Sequence, residues 1–242
     1  MAEKARRAWS EASGAWIDGM RRGDVNREFL LDQPTLTACG EVSGLAILDV
    51  GCGEGRFCRK LSELGARTTG LDVTPEFIAE ARRLHPGGSY VEASAESMPF
   101  ESGSFDLAVS YLTLIDIPDY RSAIAEVARV LRPSGRFVVA NIHSFASTHE
   151  RAWSRDAEGK KLHVAVNDYY DERAHFLDWD DIRIYNWHRP FENYLQPMFA
   201  NGLVMTQFSE PRPTPEAVAA HPSMMDEYKV PLFYVMTLRK EG

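Results

Sequence analysis

The stretch Leu48-Asp-Val-Gly-Cys-Gly-Glu-Gly-Arg-Phe57 constrains this chain more than any other. An apolar run ends in an aspartate, and three glycines at alternating positions follow at once. Glycine allows a sharp turn and removes the Cβ that would hold a ligand away from the backbone. The downstream residues have helical spacing, so the loop opens a helix whose first N–H groups are free to meet an anion. Asp72 ends the next apolar segment, nineteen residues beyond Gly53. An acid there can accept two hydrogen bonds from a ribose diol and repels a 2′-phosphate. The loop alone is a weak signal, because its G-x-G-x-G spacing departs from the dinucleotide fingerprint G-x-G-x-x-G.

The segments around this loop alternate strand and helix. Residues 45–50, 66–73, 88–94, 104–114 and 135–143 read as strands; 55–65, 74–85 and 119–133 read as helices. Thr74 and Pro75 start the second of these helices, with proline at the first helical position. Such alternation predicts a parallel sheet covered on both faces, with ligands bound beyond the carboxyl ends of its strands. Residues 2–22 read as a helix. Asp24 caps a further short helix, 25–32, which Pro34 is expected to end. From residue 143, some 45 residues show no strand–helix rhythm. They precede a helix from Phe191, a strand from Leu203 and a last strand near 230–240. The expected fold is therefore α/β and Rossmann-like, a doubly wound sheet of seven mostly parallel strands with an antiparallel last strand. It forms a single domain over 1–242: an N-terminal helical lid (1–40), a core (41–142), a cap insertion after strand 5 (143–189), and a C-terminal helix with two strands (190–242).

Composition narrows the function. With 27 Lys+Arg against 35 Asp+Glu, the net charge is −8 and no basic stripe is present, which disfavours nucleic acid as a partner. Three cysteines, without a C-x-x-C pair, argue against a disulfide framework and for a reducing compartment. The N-terminal residues lack the apolar core of a secretory signal, and no apolar run is long enough to span a bilayer. These features predict a cytoplasmic protein with no membrane partner; oligomeric state stays open.

Four segments in order, "LDVGCGEGRF", "GLDVTPEFI", "EASAESMPFESGSFDLAVS" and "EVARVLRPSGRFVVA", resemble the class I S-adenosylmethionine-dependent methyltransferases, in the branch that modifies small molecules. The likeness covers residues 45–142 closely and 190–240 more loosely. It implies S-adenosyl-L-methionine as cofactor. Asp49, Gly51, Cys52, Gly53 and Phe57 would lie around the methionine moiety, Asp72 at the ribose, and Val73, Ala95 and Glu96 at the adenine. Ser94 stands where the family often has an acid. Ser110 and Tyr111 would flank the transferring methyl. Ile115 and Asp116 occupy places where the family often has His-His, which puts an acid near the pocket.

The acceptor is expected to be a small aromatic or partly apolar molecule, methylated on oxygen in preference to nitrogen or carbon. Five of the seven histidines lie between 143 and 188. Of these, His143, at the end of the fifth strand, and His188, in a segment resembling the family's histidine-arginine-proline, are the candidate general bases. Tyr169 and Tyr170 are candidates to orient the acceptor. Cys52 reads as a small filler of its loop, and the acids of 168–181 match no standard metal-ligand spacing. Trp9 and Trp16 could close a helical lid over the cofactor. Two other classes share the glycine loop and distal acid: a nicotinamide-dependent oxidoreductase, and a non-catalytic protein that retains cofactor binding.

Overall fold

A computed structural model describes residues 1–150 and 153–241. The chain opens with α1 (Ala2–Arg22), followed by a π-helical turn (Arg27–Leu31) that runs straight into α2 (Asp32–Cys39). Asp24 caps this segment as expected, accepting the Arg27 N–H at 2.9 Å. Pro34, however, does not end it. The widened π turn just upstream changes the i→i−4 register, so a residue without an N–H is absorbed inside the helix.

The core then alternates as expected: β1 (Ala46–Val50), α3 (Arg56–Glu63), β2 (Arg67–Asp72), α4 (Pro75–Leu84), β3 (Ser89–Glu92), β4 (Phe105–Tyr111), α5 (Tyr120–Val130) and β5 (Leu131–Ile142). Two short hairpins follow, β6 (Trp153–Arg155) with β7 (Lys161–Val164), and β8 (Arg173–Trp179) with β9 (Ile182–His188). The chain ends with α6 (Phe191–Ala200), β10 (Leu203–Ser209), α7 (Pro215–Ala220) and β11 (Phe233–Lys240).

Seven strands form one sheet in the order β10-β11-β5-β4-β1-β2-β3. β3, β2, β1, β4 and β5 are parallel, and β11 runs antiparallel between β5 and β10. Alternation along the central strands divides the core. Leu48, Val50, Ala108 and Val139 face α5 and α6, whereas Ile47, Leu107, Val109 and Val138 face the opposite layer with Leu31 and Leu61. Reversal of strand order between β1 and β4 leaves a crevice at their carboxyl ends.

The segment between β5 and α6 carries two hairpins where sequence rhythm gave none. β8 and β9 are joined by Asp180 and Asp181, both at positive φ (47° and 65°). Aspartate tolerates that left-handed geometry, which matches the twist of a two-residue hairpin. Ile182 and Ile184 of β9 pack on Ala12, Trp9 and Trp16 of α1, so the hairpin and the first helix close over the same end of the sheet.

Candidate active site

The glycine loop is stitched to the neighbouring strand. The N–H groups of Gly51 and Cys52 both donate to the Leu71 carbonyl, at 2.7 and 3.0 Å. Gly51 has φ +70°, and a Cβ there would lie 2.0 Å from Thr113 Cγ2, so no other residue fits without rebuilding the loop. Gly53, at φ +54°, has no atom within 4 Å of its Cβ position and faces a cleft. Asp72 braces this bend from β2: Oδ2 accepts the Gly53 N–H at 2.9 Å, and Oδ1 accepts the Thr74 N–H at 2.8 Å.

The cleft encloses about 1150 Å³ of space between atoms, part of it open to solvent. Nine of the expected cofactor residues line it. Asp49, Gly51, Cys52, Gly53 and Phe57 come from the β1–α3 junction, Asp72 and Val73 from the end of β2, and Ala95 and Glu96 from beyond β3. Ser94 lines it as well; its hydroxyl accepts the Glu96 N–H at 3.2 Å and donates to the Glu96 carboxylate at 3.1 Å. The serine thereby builds a local turn, and Glu96 reaches across to accept the Asp119 N–H at 2.8 Å.

Three carboxylates, Asp49, Glu54 and Asp72, share one end of the cleft. Burial pushes Asp49 up to about 7, and the charges of Asp72 and Glu54 add to the rise, against the opposing effect of the Cys58 thiol at 3.3 Å. Burial also raises Asp72 above its ordinary value, although the backbone N–H groups of Thr74, Gly53 and Val73 oppose it. Crowded acids with raised pKa values are stabilised by a cation. A ligand bearing ammonium and sulfonium groups fits this end, and Gly53 leaves room for it.

A contrasting cluster, centred on Asp32, reaches the cleft through Arg56 and Tyr111. Asp32 takes a two-pronged ion pair from Arg56 (2.9 and 2.5 Å), an ion pair from Lys60 (3.3 Å) and the Tyr111 hydroxyl (2.9 Å). Burial raises its pKa, but the Arg56 pair, with Tyr111 and Lys60, outweighs burial and holds it below the ordinary value. The Arg27 guanidinium lies over Trp16, 4.9 Å from the ring centre. Arg27, Arg56, Trp9 and Trp16 all line the cleft, beside Tyr111. Sequence reading found Tyr111 and the tryptophans but missed Asp32 and Arg56, because their partners lie far away in sequence, and missed Arg27, whose ion pair with nearby Asp24 reads as an ordinary helix cap.

A second chamber, with about 1160 Å³ between its atoms, adjoins the first. Its walls include Ile182, Ile184 and Trp179 of the β8–β9 hairpin, Phe233 and Ile142 at the strand ends, Gly19, Met20 and Arg22 of the first helix, and Gly23 just after it. Trp9, Trp16, Arg27, Leu112 and Asp116 border both spaces. Asp116 sits on the β4–α5 loop and receives a hydrogen bond from the Asn186 side-chain amide of β9. The Trp187 N–H donates to the Ile115 carbonyl at 2.8 Å and fixes that pairing. Burial pushes the Asp116 carboxyl well above its ordinary range, opposed by Asn186, Arg27 and Arg189.

Leu112, at the start of the loop, has φ +59°. That conformation costs a non-glycine residue on the order of 1–3 kcal/mol and occurs where a site dictates the backbone. Arg189, fully buried, clamps the loop from outside by donating to the carbonyls of Leu114 (2.7 Å), Ile117 (2.6 Å) and Pro118 (3.3 Å).

Five expected site residues lie elsewhere. His188 is completely buried, with Nδ1 2.9 Å from Ser147 Oγ and Nε2 2.8 Å from the Tyr169 carbonyl. Both ring nitrogens are used, and the ring pins the cap to the 3₁₀ turn Ser144–Ser147. His143 stacks on Phe145 at 5.0 Å, with Nε2 3.1 Å from Glu210; it lines neither cavity. Tyr169 accepts the Phe191 N–H at 3.0 Å, and Tyr170 is 79% exposed. Neither borders the cleft or the chamber. Ser110 is sealed within the sheet, one residue short of the rim where Tyr111 emerges.

Among the described residues, no group of three or more His, Cys, Asp or Glu side chains is arranged to hold a metal ion, and no helix is long and apolar enough to cross a membrane.

Residues 48–139 match the family model for a methyltransferase domain. A solved structure of an S-adenosylmethionine-dependent methyltransferase from Mesorhizobium loti is 31% identical, with a TM-score of 0.77, over 90% of this chain and 99% of that one. A malonyl-[acyl-carrier protein] O-methyltransferase from Pectobacterium atrosepticum is 33% identical over 47% of this chain and 45% of its own length. A demethylmenaquinone methyltransferase from Beutenbergia cavernae is 31% identical over 54% and 57%. The chain thus spans about half the length of the curated relatives it matches. Its likeness to the Mesorhizobium structure, by contrast, runs over nearly the whole of both chains. With the glycine loop, the distal Asp72 and the seven-stranded sheet in their expected order, this chain belongs to the class I S-adenosylmethionine-dependent methyltransferases.

Proposed function

We propose that this protein transfers a methyl group from S-adenosylmethionine to a small, aromatic or partly apolar acceptor, on oxygen in preference to nitrogen or carbon. One observation carries the reading: a cleft lined by three carboxylates, Asp49, Glu54 and Asp72, and by Arg27 and Arg56 shares a border with a second chamber whose walls mix aromatic and aliphatic side chains with polar ones. When bound, the cofactor supplies a methyl group already activated on a sulfonium. The protein's own residues then have to bind, orient and exclude water. Asp49, Glu54 and Asp72 supply negative charge for the cofactor's cationic groups, and Arg56, alongside its pair with Asp32, supplies positive charge for its carboxylate. Asp72, Val73, Ala95 and Glu96 would hold the nucleoside.

The chamber walls of Trp179, Ile182, Ile184 and Phe233 suit a flat, apolar body. An acceptor seated there presents its reacting atom toward the cleft across Asp116. Holding two reactants in line within about 3–3.5 Å accounts for much of the rate of such a transfer. The preference for oxygen draws support from the O-methyltransferase among the relatives, although only half of that protein is matched.

Calorimetric titration with S-adenosylmethionine, S-adenosylhomocysteine and NAD⁺ tests the cofactor. Micromolar binding of the first two, without NAD⁺ binding, is expected; NAD⁺ binding alone would overturn the reading. Turnover with a panel of phenols, amines and carboxylates then separates an enzyme from a protein that only binds the cofactor.

A further inference from the structure

Resting on the methyl-transfer reading, we infer that Asp116, held by Asn186 at the border of the two cavities, takes the acceptor's proton. We infer also that the acceptor is a planar molecule offering a hydroxyl or ring N–H. Asp116 borders both the cofactor cleft and the chamber, and no histidine lines either space. The residues with the chemistry usual for this task, His143 and His188, are packed into other contacts.

The carboxyl is held by one hydrogen bond and through its backbone turn. The Asn186 amide donates to Oδ1, which leaves Oδ2 for a further partner. The Asp116 N–H donates to the Thr113 carbonyl at 2.8 Å, closing the turn. Arg189 fixes the carbonyls on either side, at Leu114 and Ile117. Asn186 is itself placed by the bond from Trp187 N–H to Ile115, one residue before Asp116. One hydrogen bond to the carboxyl and a backbone turn held at three other points place Asp116 at the meeting of two cavities, which is more than a polar wall requires.

The walls state what the acceptor looks like. Trp9 and Trp16, in edge-to-face contact at 5.2 Å, and the hairpin's Ile182 and Ile184 pack together into one aromatic and aliphatic part of the chamber's wall. Arg27 also borders the chamber, but its charge is matched by Asp24 at 2.5 Å. Arg22 lines the chamber too, but Asp24, Asp116 and Asp180 outnumber the two arginines, so a neutral ring with one donor hydrogen fits better than an acid.

The step balances. A lone pair on the acceptor oxygen forms the new O–C bond, and the S–C bond breaks with its electron pair left on sulfur. The oxygen's proton passes to the Asp116 carboxylate, so the products are a thioether, a methyl ether and a neutral carboxylic acid. The same scheme holds for a ring nitrogen. The charged groups facing Asp116 are Arg27 from the N-terminal segment, Arg189 after β9 and Asp72 at the end of β2. A bound sulfonium adds positive charge to this surround and so favours the carboxylate form that the step needs.

The test uses the full-length protein, S-adenosylmethionine and a series of substituted phenols of graded acidity. Asp116→Asn keeps the shape and removes the basicity. For weakly acidic phenols, a fall in kcat/KM of about 10²–10⁴-fold is expected, shrinking to a few-fold for 4-nitrophenol at a pH where it is already ionised. Affinity for S-adenosylhomocysteine should change less than about threefold in the same variant. Asn186→Ala should move the acid limb of the wild-type kcat profile to higher pH, because the amide hydrogen bond favours the carboxylate, and Asn186→Ser should restore part of the shift.

An equal loss across all phenols, or an unmoved acid limb, would reduce Asp116 and Asn186 to structural parts. A wild-type protein that binds S-adenosylhomocysteine but methylates no phenol or azole would overturn the acceptor class. A protein that binds no S-adenosylhomocysteine fails earlier, at the cofactor, and removes the basis of this inference with it.

Discussion

Arg189 donates to the Ile117 carbonyl at 2.6 Å and thereby ties the residue following β9 to the loop that follows β4. The guanidinium is sandwiched as well, 4.1 Å from the Tyr120 ring centre. A fork with several donors in one plane can hold the Leu114, Ile117 and Pro118 carbonyls together, and an ammonium cannot. Arg189→Lys should destabilise the fold by roughly 2–4 kcal/mol, since buried carbonyls lose charged partners. Thermal unfolding checks the stability, and kcat at a temperature where the variant remains folded checks the loop. A variant with unchanged stability would show that the clamp is dispensable.

The glycine loop permits a contrast between two substitutions. Gly51→Ala places a Cβ 2.0 Å from Thr113 and should disrupt the loop, lowering the unfolding midpoint. Gly53→Ala meets no protein atom within 4 Å, so the stability loss should stay near the ~1 kcal/mol of a left-handed alanine. Its methyl group stands at the cleft, and affinity for S-adenosylhomocysteine should fall at least about tenfold by calorimetry. Equal affinity in Gly53→Ala and the parent protein would move the cofactor away from this bend.

Asp49 makes cofactor binding pH-dependent with a definite sign. In the free protein burial raises its pKa to about 7, and a cationic ligand favours the ionised form. Affinity for S-adenosylmethionine should therefore rise as pH increases toward 7 and level off above it, with proton release below that point. Calorimetry in two buffers of different ionisation heat measures the protons. The same shift acts oppositely on the ligand-free fold. An acid whose folded pKa exceeds its unfolded value weakens stability as pH rises between about 4 and 7. Asp49→Asn should accordingly stabilise the ligand-free protein at pH 8, by roughly 1–3 kcal/mol, while it weakens cofactor binding.

His188→Ala separates a structural histidine from a reacting one. The neutral ring, with the proton on Nε2 assigned from the Tyr169 carbonyl it faces, bridges two cap segments. Removing it leaves a buried hydroxyl and carbonyl without that partner and a void, for a cost of about 1–3 kcal/mol. The turnover number per folded molecule should remain within about twofold of the parent. A fall of two orders of magnitude or more would return His188 to the chemistry.

The sheet was legible because its strands are buried on both faces and its helices carry clear stop and start signals, such as Thr74-Pro75. That most residues expected at the cofactor line one cleft was legible for a related reason. The loop and Asp72 are close in sequence, and their geometry leaves few residue types that fit. The β8–β9 hairpin was not legible, since its turn is Asp-Asp without glycine and exposed positions on both its faces, Phe176 and Trp179, still carry large aromatics. His143 and His188 lie outside both cavities, which the sequence could not show, because a ring's chemistry does not reveal whether its nitrogens are already engaged. The segment around His188 did matter, but through Arg189, and a buried arginine serving backbone carbonyls has no sequence signature. Asn186 was invisible for the same reason: its partner, Asp116, lies 70 residues earlier.

The contact of α1 with the β8–β9 hairpin has a consequence in time as well as space. The glycine loop, Asp72 and Asp116 are all within the first half of the chain, whereas Ile182, Ile184 and Asn186 emerge from the ribosome much later. A nascent chain that has just released β5 already carries every segment of the nucleoside cradle. It has no far wall for the chamber until the hairpin folds back onto Ala12 and Trp16. During synthesis the two halves of the reaction site thus mature in sequence.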